Sequence, residues 1–233
     1  MLQIHAMVAL PSFAVDAFWS AFAAHHLGQL GSSLRTSSLS TQRVAISTHI
    51  QILSLIPDPK NQPYFRTFLQ NSALSHDLPT LIADAFVQGI TWQRPGGPGQ
   101  LCALITNLIL WCDAKQGDDG RASINAKVRR ALFEKLELLR TSEGFTRLEH
   151  THQKEVQRLS VILNAINRLE LSTYISTTQQ HLQDQLTGCQ NPSCDKEAEL
   201  TCSRCKSVRY CGKPCQSLDW KSGHKMRCFH ATY

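Results

Sequence analysis

The chain has 233 residues, of which 42% are hydrophobic and 18% are charged, with a formal net charge of +6. This composition excludes a disordered or collagen-like chain, because it supplies enough apolar material for a hydrophobic core. The mild net charge and an aromatic content of only 7% give no compositional case for a nucleic-acid-binding protein.

The first seventy residues predict short helices separated by polar or proline-containing connections. Gln29–Ser40 predicts a connection because it is rich in Gly, Ser and Thr. Apolar, Ala-rich or amphipathic segments on either side of it, and a short segment after Pro57 and Pro59, predict helices over 13–27, 41–56 and 64–70.

The middle of the chain predicts a buried helix. Ser75 predicts the N-cap of a helix ending at Val87, with Pro79 near its first turn. Arg94–Gly99 predicts a loop from its prolines and glycines. Leu101–Cys112 is apolar on nearly all sides, so it predicts a helix buried all round, and its two cysteines are expected to be buried, unreactive thiols.

Two further helices follow a predicted turn at Gly117–Gly120. Ser123 is the expected cap of the first one, which has one apolar face and a solvated face that includes three cations: Val128, Leu132, Leu136 and Leu139 against Lys127, Arg129 and Arg130. A longer helix is expected over 147–186. Its apolar residues step by 3, 4 and 3, the spacing of a seam between helices: Val156, Leu159, Leu163 and Ile166.

These elements predict a mainly α fold, with an all-α helical body over 1–186 and a small second domain over 187–233. Stacked helical pairs are one arrangement that such a series of helices allows. The longest nearly apolar run, at Leu101–Cys112, has twelve residues, which is too short for a bilayer, so we expect no membrane association. The first thirty residues contain no Lys or Arg, so a secretory signal is not expected.

The cysteines concentrate in the second domain. Residues 1–188 hold two, whereas seven cysteines and a histidine follow in the pattern C-x4-C-x7-C-x2-C-x5-C-x3-C-x8-H-x3-C: Cys189, Cys194, Cys202, Cys205, Cys211, Cys215, His224 and Cys228. Close Cys and His pairs in a chain without a secretory signal indicate metal rather than disulfides. Eight ligands suit two closed, tetrahedral, structural zinc sites.

The spacings within the pairs are physically suited to metal binding. Cys202 and Cys205 fit a tight knuckle with backbone amides turned towards the sulfurs, and the i,i+4 pairs at Cys211/Cys215 and His224/Cys228 fit one helical face each. The segment has few large apolar residues, so zinc is expected to supply most of its folding energy, on the order of 10–16 kcal/mol per structural site.

The sequence motifs of this segment resemble those of a MYND-type zinc finger. The resemblance covers 189–228 and rests on Cys202-Ser203-Arg204-Cys205, Arg209-Tyr210-Cys211, Cys215-Gln216, Asp219-Trp220 and the segment from His224-Lys225 to Cys228. One departure is the four-residue gap between Cys189 and Cys194, where two residues are commoner; Pro192 can help this wider knuckle turn. A weakened site, if there is one, is expected to be the one that uses this pair.

The resemblance implies a cross-braced arrangement, in which the first and third pairs hold one zinc and the second and fourth pairs hold the other. Spacing alone leaves sequential pairing open. The resemblance also implies binding of a protein partner through a short proline-containing peptide, in a groove at Ser203, Gln216 and Trp220. The alternative for Trp220 is that it is simply the aromatic core residue of the finger.

The expected function is therefore that of a zinc-binding adaptor for protein–protein interaction, not an enzyme, with a transcription-related complex as one setting. A relative of the SET-type lysine methyltransferases, or a nucleic-acid-binding protein using the basic tail, are the alternatives. Residues 189–233 carry eight basic and four acidic side chains, but seven thiolates and two Zn²⁺ ions together add −3, which leaves the loaded segment near +1 and argues against nucleic acid.

The expected location is intracellular, in the cytoplasm or nucleus. The alternative is a mitochondrial presequence, because residues 1–57 contain a single acid, Asp16, and a Ser/Thr-rich stretch with Arg35 and Arg43. The sequence indicates neither the oligomeric state nor the identity of the partner.

Overall fold

The computed structural model describes residues 12–90, 97–112, 124–168 and 172–233. Within these ranges the chain is mainly helical, and its strands, β1 (Leu200–Thr201) and β2 (Arg209–Tyr210), form a short antiparallel pair. The predicted mainly α fold class is confirmed. The described helices before the finger are α1 Ser12–Thr36, α2 Leu39–Leu55, α3 Pro63–Gln70, α4 Ser72–Ser75, α5 Leu78–Val87, α6 Gly97–Trp111, α7 Ala126–Arg140, α8 Glu143–Thr146, α9 His150–Asn167 and α10 Ser172–Asp184.

Helix α1 is longer than the sequence predicts. It continues to Thr36, so the connection predicted at Gln29–Ser40 is wrong, and only two residues separate α1 from α2. The helix continues because Leu27, Leu30 and Leu34 recur at helical spacing and are all buried. Burial of these side chains outweighs the low helix propensity of the Gly and Ser residues between them.

Two predicted helix starts are also misplaced. Helix α5 begins at Leu78, after an N-cap at Asp77, whereas Ser75 ends α4 and donates its hydroxyl to the carbonyl of Leu69 (2.7 Å). The helix predicted from Leu101 begins earlier, at Gly97, so the last residues of the predicted loop are helical. Residues 94–96 of that loop lie outside the described ranges.

Helix α6 is buried along most of its length, as predicted, and Cys102 and Cys112 are both buried. Its N-terminal end lies close to α9: a Cβ atom added at Gly99 would lie 2.5 Å from the Cα atom of His152. Glycine at this position therefore lets the two helix backbones approach. The predicted seam of α9 is confirmed, since each of its members is buried: Val156, Leu159, Leu163 and Ile166.

The long helix predicted over 147–186 is instead divided between α9 and α10. Helix α9 ends at Asn167, where Arg168 adopts an extended backbone conformation (φ −95°, ψ 123°). Residues 169–171 lie outside the described ranges. The division means that the apolar seam belongs to one helix of ordinary length rather than to a long helix reaching the finger.

The predicted solvated face of helix α7, with Lys127, Arg129 and Arg130, is wrong for one of these cations. Arg129 is buried, and its guanidinium donates to Asn167 Oδ1 (2.8 Å) and to the carbonyl of Ile124 (3.4 Å). The cap of α7 is Asn125, whose side chain accepts from the backbone N–H of Lys127. The predicted turn at 117–120 and cap at Ser123 lie outside the described ranges.

The described residues fall into two compact units. The first contains residues up to Gly28 together with Pro57–Phe68 and Gln180–Tyr233, and the second contains Gln29–Ile56 and Leu69–Gln179. The cysteine-rich segment therefore shares a unit with two segments of the predicted helical body. The predicted domain boundary between residues 186 and 187 implies that the two parts fold independently, and this stays a prediction.

No helix in the described ranges combines the length and apolar character that crossing a membrane would require.

Candidate metal centre

The cysteines and the histidine of the C-terminal segment form two clusters of four potential ligands. The first cluster is Cys189, Cys194, Cys211 and Cys215, and the second cluster is Cys202, Cys205, His224 and Cys228. Within each cluster all ligand atoms lie within 4.8 Å of one another. The first and third pairs thus share one cluster and the second and fourth pairs share the other, which is the cross-braced arrangement.

The distances between ligand atoms fit tetrahedral zinc. A zinc–sulfur distance of about 2.3 Å places two sulfurs of a tetrahedron about 3.8 Å apart. In the first cluster, the Sγ atom of Cys211 lies 3.7 Å from that of Cys194 and 3.5 Å from that of Cys215. These separations are far longer than the roughly 2.05 Å of a disulfide.

The second cluster has the same dimensions. The Sγ atoms of Cys202 and Cys228 are 3.8 Å apart, and the Sγ atom of Cys205 lies 3.7 Å from Nε2 of His224. Burial lowers the pKa of His224, and this favours the neutral imidazole that a zinc ligand requires. Both clusters therefore fit a zinc ion each, and all four ligands of each tetrahedron come from the protein.

The knuckle of the second cluster has the predicted geometry. The N–H of Cys202 donates to the carbonyl of Val208 (2.9 Å), and the N–H of Lys206 donates to the carbonyl of Cys202 (3.0 Å). Lys206 adopts the left-handed conformation (φ 60°) that closes this turn. Burial opposes ionisation of Cys202, but the backbone N–H groups of Arg204 and Cys205 bond its sulfur and its pKa is lowered.

The knuckle of the first cluster depends on Asn191, a residue outside the ligand set and the family motif. Asn191 is buried, its side-chain Oδ1 accepts from the N–H of Ser193 (3.2 Å), and its carbonyl accepts from the N–H of Cys194 (3.0 Å). These bonds turn the wide gap between Cys189 and Cys194. The signal available in the sequence was the Asn191-Pro192 pair, since asparagine side chains bond the backbone two residues on and so initiate turns.

Helix α11 (Lys213–Asp219) presents Cys215 to the first cluster and Asp219 to the interior. A five-residue π-helical turn (Trp220–His224) and the short helix α12 (Lys225–Arg227) lead on to Cys228. Tyr210 is fully buried and donates its hydroxyl to Asp219 Oδ2 (2.6 Å). This buried bond links strand β2 to α11, and it gives a structural role to Asp219, which the sequence identified only as part of the Asp219-Trp220 motif.

The two clusters differ in burial. All four ligands of the second cluster are buried, whereas the first cluster has one buried ligand, Cys189, and three that are partly exposed. Among the described residues, the hydrogen bonds around the first cluster stay within residues 184–233. The first cluster is thus the more accessible of the two.

The second cluster is enclosed by residues from Pro57–Phe68. The hydroxyl oxygen of Tyr64 accepts from the N–H of Phe229 (2.6 Å) and lies 3.0 Å and 2.9 Å from the carbonyl oxygens of Arg227 and Phe229. Arg227 and Phe229 are the residues immediately before and after Cys228 in the chain. Tyr64 is fully buried, so its hydroxyl fixes the backbone that carries the last ligand.

Arg66 also bonds the backbone near the second cluster. Its buried guanidinium donates to the carbonyls of Pro59 and Lys60 (3.2 Å each) and, at 3.5 Å, to that of Ser207, two residues after Cys205. Burial lowers the pKa of Arg66. The side chain thus acts as a buried donor to carbonyl oxygens.

The residues after Cys228 extend this packing. The N–H of Thr232 donates to Ala24 O (3.0 Å), and the hydroxyl of Tyr233 donates to Tyr64 O (2.7 Å). The rings of Tyr233 and Phe68 meet edge to face, with centroids 5.5 Å apart. The segment from Cys228 to Tyr233 therefore lies against both non-finger segments of the first unit.

The three residues predicted to form a partner groove have different surroundings. Ser203 is exposed, whereas Gln216 and Trp220 are partly buried. Gln216 and Trp220 are four residues apart and share one helical face. The indole of Trp220 also meets the imidazole of His224 at 5.9 Å between ring centroids, so it contributes to the finger as well as presenting an accessible part.

The comparisons with known proteins concern this segment. The model of the family described as "MYND finger" matches residues 189–228. Ubiquitin carboxyl-terminal hydrolase 19 of Arabidopsis thaliana is 63% identical over 35 residues, which cover 15% of this chain and 5% of that protein. Programmed cell death protein 2 of Mus musculus is 54% identical over 35 residues, covering 15% and 10%. No solved structure matches the chain.

A longer match is to an F-box protein of Arabidopsis thaliana, 31% identical over 71 residues, covering 28% of this chain and 21% of that protein. These relatives have unlike names, and the chain spans about a fifth of their length or less. The likeness is therefore to one module that occurs in different proteins. Residues 189–228 of this chain form a MYND finger, with two cross-braced clusters that each fit a zinc ion.

Proposed function

We propose that this chain is an adaptor that captures a protein partner by binding a short proline-containing segment on its MYND finger. The observation that carries the proposal is the accessible part of Trp220, which lies in line with Gln216 on a finger whose zinc ligands are complete. An indole surface suits proline rings, and a neighbouring amide can bond an extended peptide backbone.

The chemistry of the clusters supports binding rather than catalysis. Four protein ligands in each cluster complete a zinc tetrahedron, so neither ion would have a position for water or substrate. The proposed function therefore includes no enzymatic activity. It places the protein in the cytoplasm or nucleus, where thiols stay reduced, and a transcription-related complex is one setting for such an adaptor.

The test uses the full chain loaded with zinc and a set of fluorescent proline-containing peptides. We expect saturable binding by members of the set. Trp220→Ala should weaken it about thirty-fold or more, because a buried indole at an interface is typically worth 2 kcal/mol or more. Zinc content, measured in parallel, must remain two per chain in the variant.

The matched control is Leu218→Ala. Leu218 lies on α11, as Gln216 does, but it is 55% exposed and points away from the face that holds Gln216 and Trp220. We expect this variant to bind as the original chain does. If Trp220→Ala loses zinc, Gln216→Ala provides the second test, with an expected loss of about five-fold. The proposal is wrong if no peptide binds saturably, or if neither change on that face weakens binding.

A further inference from the structure

The exposed charge of the finger is of one sign from strand β1 onwards. Between residues 200 and 233 the exposed charged side chains are all cations: Arg204, Lys206, Arg209, Lys213, Lys221, Lys225 and Arg227. The single acid there, Asp219, is buried and engaged by Tyr210. The other acids of the finger, Asp195, Glu197 and Glu199, all precede β1.

Three of these cations neighbour the proposed groove residues, two in sequence and one by helical spacing. Arg204 follows Ser203 in the chain, and Lys221 follows Trp220. Lys213 begins α11, and the spacing i, i+3, i+7 places it on one helical face with Gln216 and Trp220. Each groove residue therefore has a cation either next to it in the sequence or one turn away on the same helical face.

These three cations have no ionic partner within the part of the chain that the structure describes. The ion pairs found there involve other residues, and no carboxylate lies within 4 Å of Arg204, Lys213 or Lys221. Lys213 gains nothing from its own helix either, because a cation in the first turn opposes the helix dipole. Their charge is thus available to a bound molecule.

We propose that the finger takes a proline-containing segment flanked by glutamate or aspartate, whose carboxylates pair with Lys213, Arg204 and Lys221. This inference rests on the proposed function and specifies the partner of the same groove. The attraction is local, because seven thiolates balanced by two Zn²⁺ leave the finger near neutral overall. The acidic residues must therefore lie next to the proline core rather than elsewhere in the partner.

The experiment compares two peptides with the same proline-containing core, one flanked by glutamates and one by glutamines, on the zinc-loaded full chain. We expect the glutamate peptide to bind about ten-fold more tightly in low salt, since exposed ion pairs each contribute a factor of about 1.4 to 5. The difference should disappear as salt is added, because exposed charges are screened.

The variant Lys213→Gln locates the effect. It should weaken the glutamate peptide about two- to five-fold and leave the glutamine peptide unchanged. The control is Lys196→Gln, an exposed cation that precedes β1 and whose two sequence neighbours, Asp195 and Glu197, are both acidic. We expect this control to affect neither peptide.

The outcomes separate the two proposals. If both peptides bind equally and Trp220→Ala weakens both, the groove is real and the acidic preference is wrong. If neither peptide binds, and no other proline-containing peptide does, both proposals fail. A single-stranded oligonucleotide that binds more tightly than the glutamate peptide and loses affinity in Lys213→Gln would also overturn the inference, because the cations would then serve nucleic acid.

Discussion

The two metal clusters of the finger have nearly the same ligands and the same dimensions but different surroundings. The first cluster is partly exposed, and the hydrogen bonds described around it come from the finger and the few residues before it. The second is fully buried, and Tyr64 and Arg66 contact the backbone that carries its ligands. A metal site's contribution to the fold therefore depends on the residues that hold its ligands as well as on the ligands themselves.

The difference assigns the clusters different structural roles. Loss of the second cluster would release Cys228 and the residues after it, which contact both Pro57–Phe68 and the end of the region up to Gly28. Loss of the first would release a knuckle whose bonds are local. We therefore expect the second cluster to stabilise the whole first unit and the first cluster to stabilise mainly the finger.

The largest expected effect is from removing one ligand of each cluster in turn. Cys205→Ser should abolish cooperative unfolding of the first unit, because structural zinc contributes on the order of 10 kcal/mol and that cluster anchors the unit. Cys194→Ser should unfold the first cluster and its knuckle but leave a cooperative transition for the rest of the first unit, because the bonds that turn this knuckle are local. Thermal unfolding and hydrogen exchange of Pro57–Phe68 measure the difference, with zinc content as the control. Equal loss of protection in both variants would refute the distinction.

A smaller effect is expected at Tyr64. Tyr64→Phe keeps the ring but leaves the buried N–H of Phe229 without its acceptor, so it should cost about 1–3 kcal/mol of unfolding free energy. The matched control is Tyr233→Phe, which removes a single bond to the carbonyl of Tyr64 and should cost about 0.5–1.5 kcal/mol. Denaturant unfolding of both variants provides the measurement. If Tyr233→Phe costs as much as Tyr64→Phe, the special position of Tyr64 is wrong.

The smallest expected effect is at the knuckle of the first cluster. Asn191→Ala removes the side-chain acceptor of the Ser193 N–H, so zinc should bind the first cluster about ten-fold more weakly, as is common when outer contacts of a metal site are lost. At the same free zinc concentration, this loss of affinity should lower the zinc-linked stability of the finger by no more than about 1.4 kcal/mol. Competition with a chelator of known affinity measures the zinc, and unchanged affinity would show that Pro192 alone suffices for the turn.

The sequence predicted the site better than the body. Zinc chemistry restricts ligands to Cys and His at short spacings, so all eight ligands could be identified from the chain alone, and the family resemblance supplied their pairing. The outer contacts could not be predicted, because Tyr64 and Arg66 are more than a hundred residues away in sequence from the ligands they hold. Only the folded chain brings them together.

In the helical body, some features could be predicted from the sequence and others could not. The apolar seam of α9 and the buried character of α6 were predictable because period and composition carry that information. The continuation of α1 through Gly and Ser residues was not, since burial of Leu30 and Leu34 decides it. The burial of Arg129 likewise depends on Asn167, thirty-eight residues later.

The central claim is tested most directly by the order in which cysteines become reactive as zinc is withdrawn. Limiting chelator is added to the zinc-loaded chain, exposed thiols are alkylated, and the labelled cysteines are mapped by mass spectrometry while hydrogen exchange reports on Pro57–Phe68. We expect Cys194, Cys211 and Cys215 to be labelled with the loss of the first zinc while that segment stays protected. Labelling of Cys205 and Cys228 should come only with the second zinc, together with loss of protection. Simultaneous labelling of both clusters, or labelling of the second cluster first, would contradict the account.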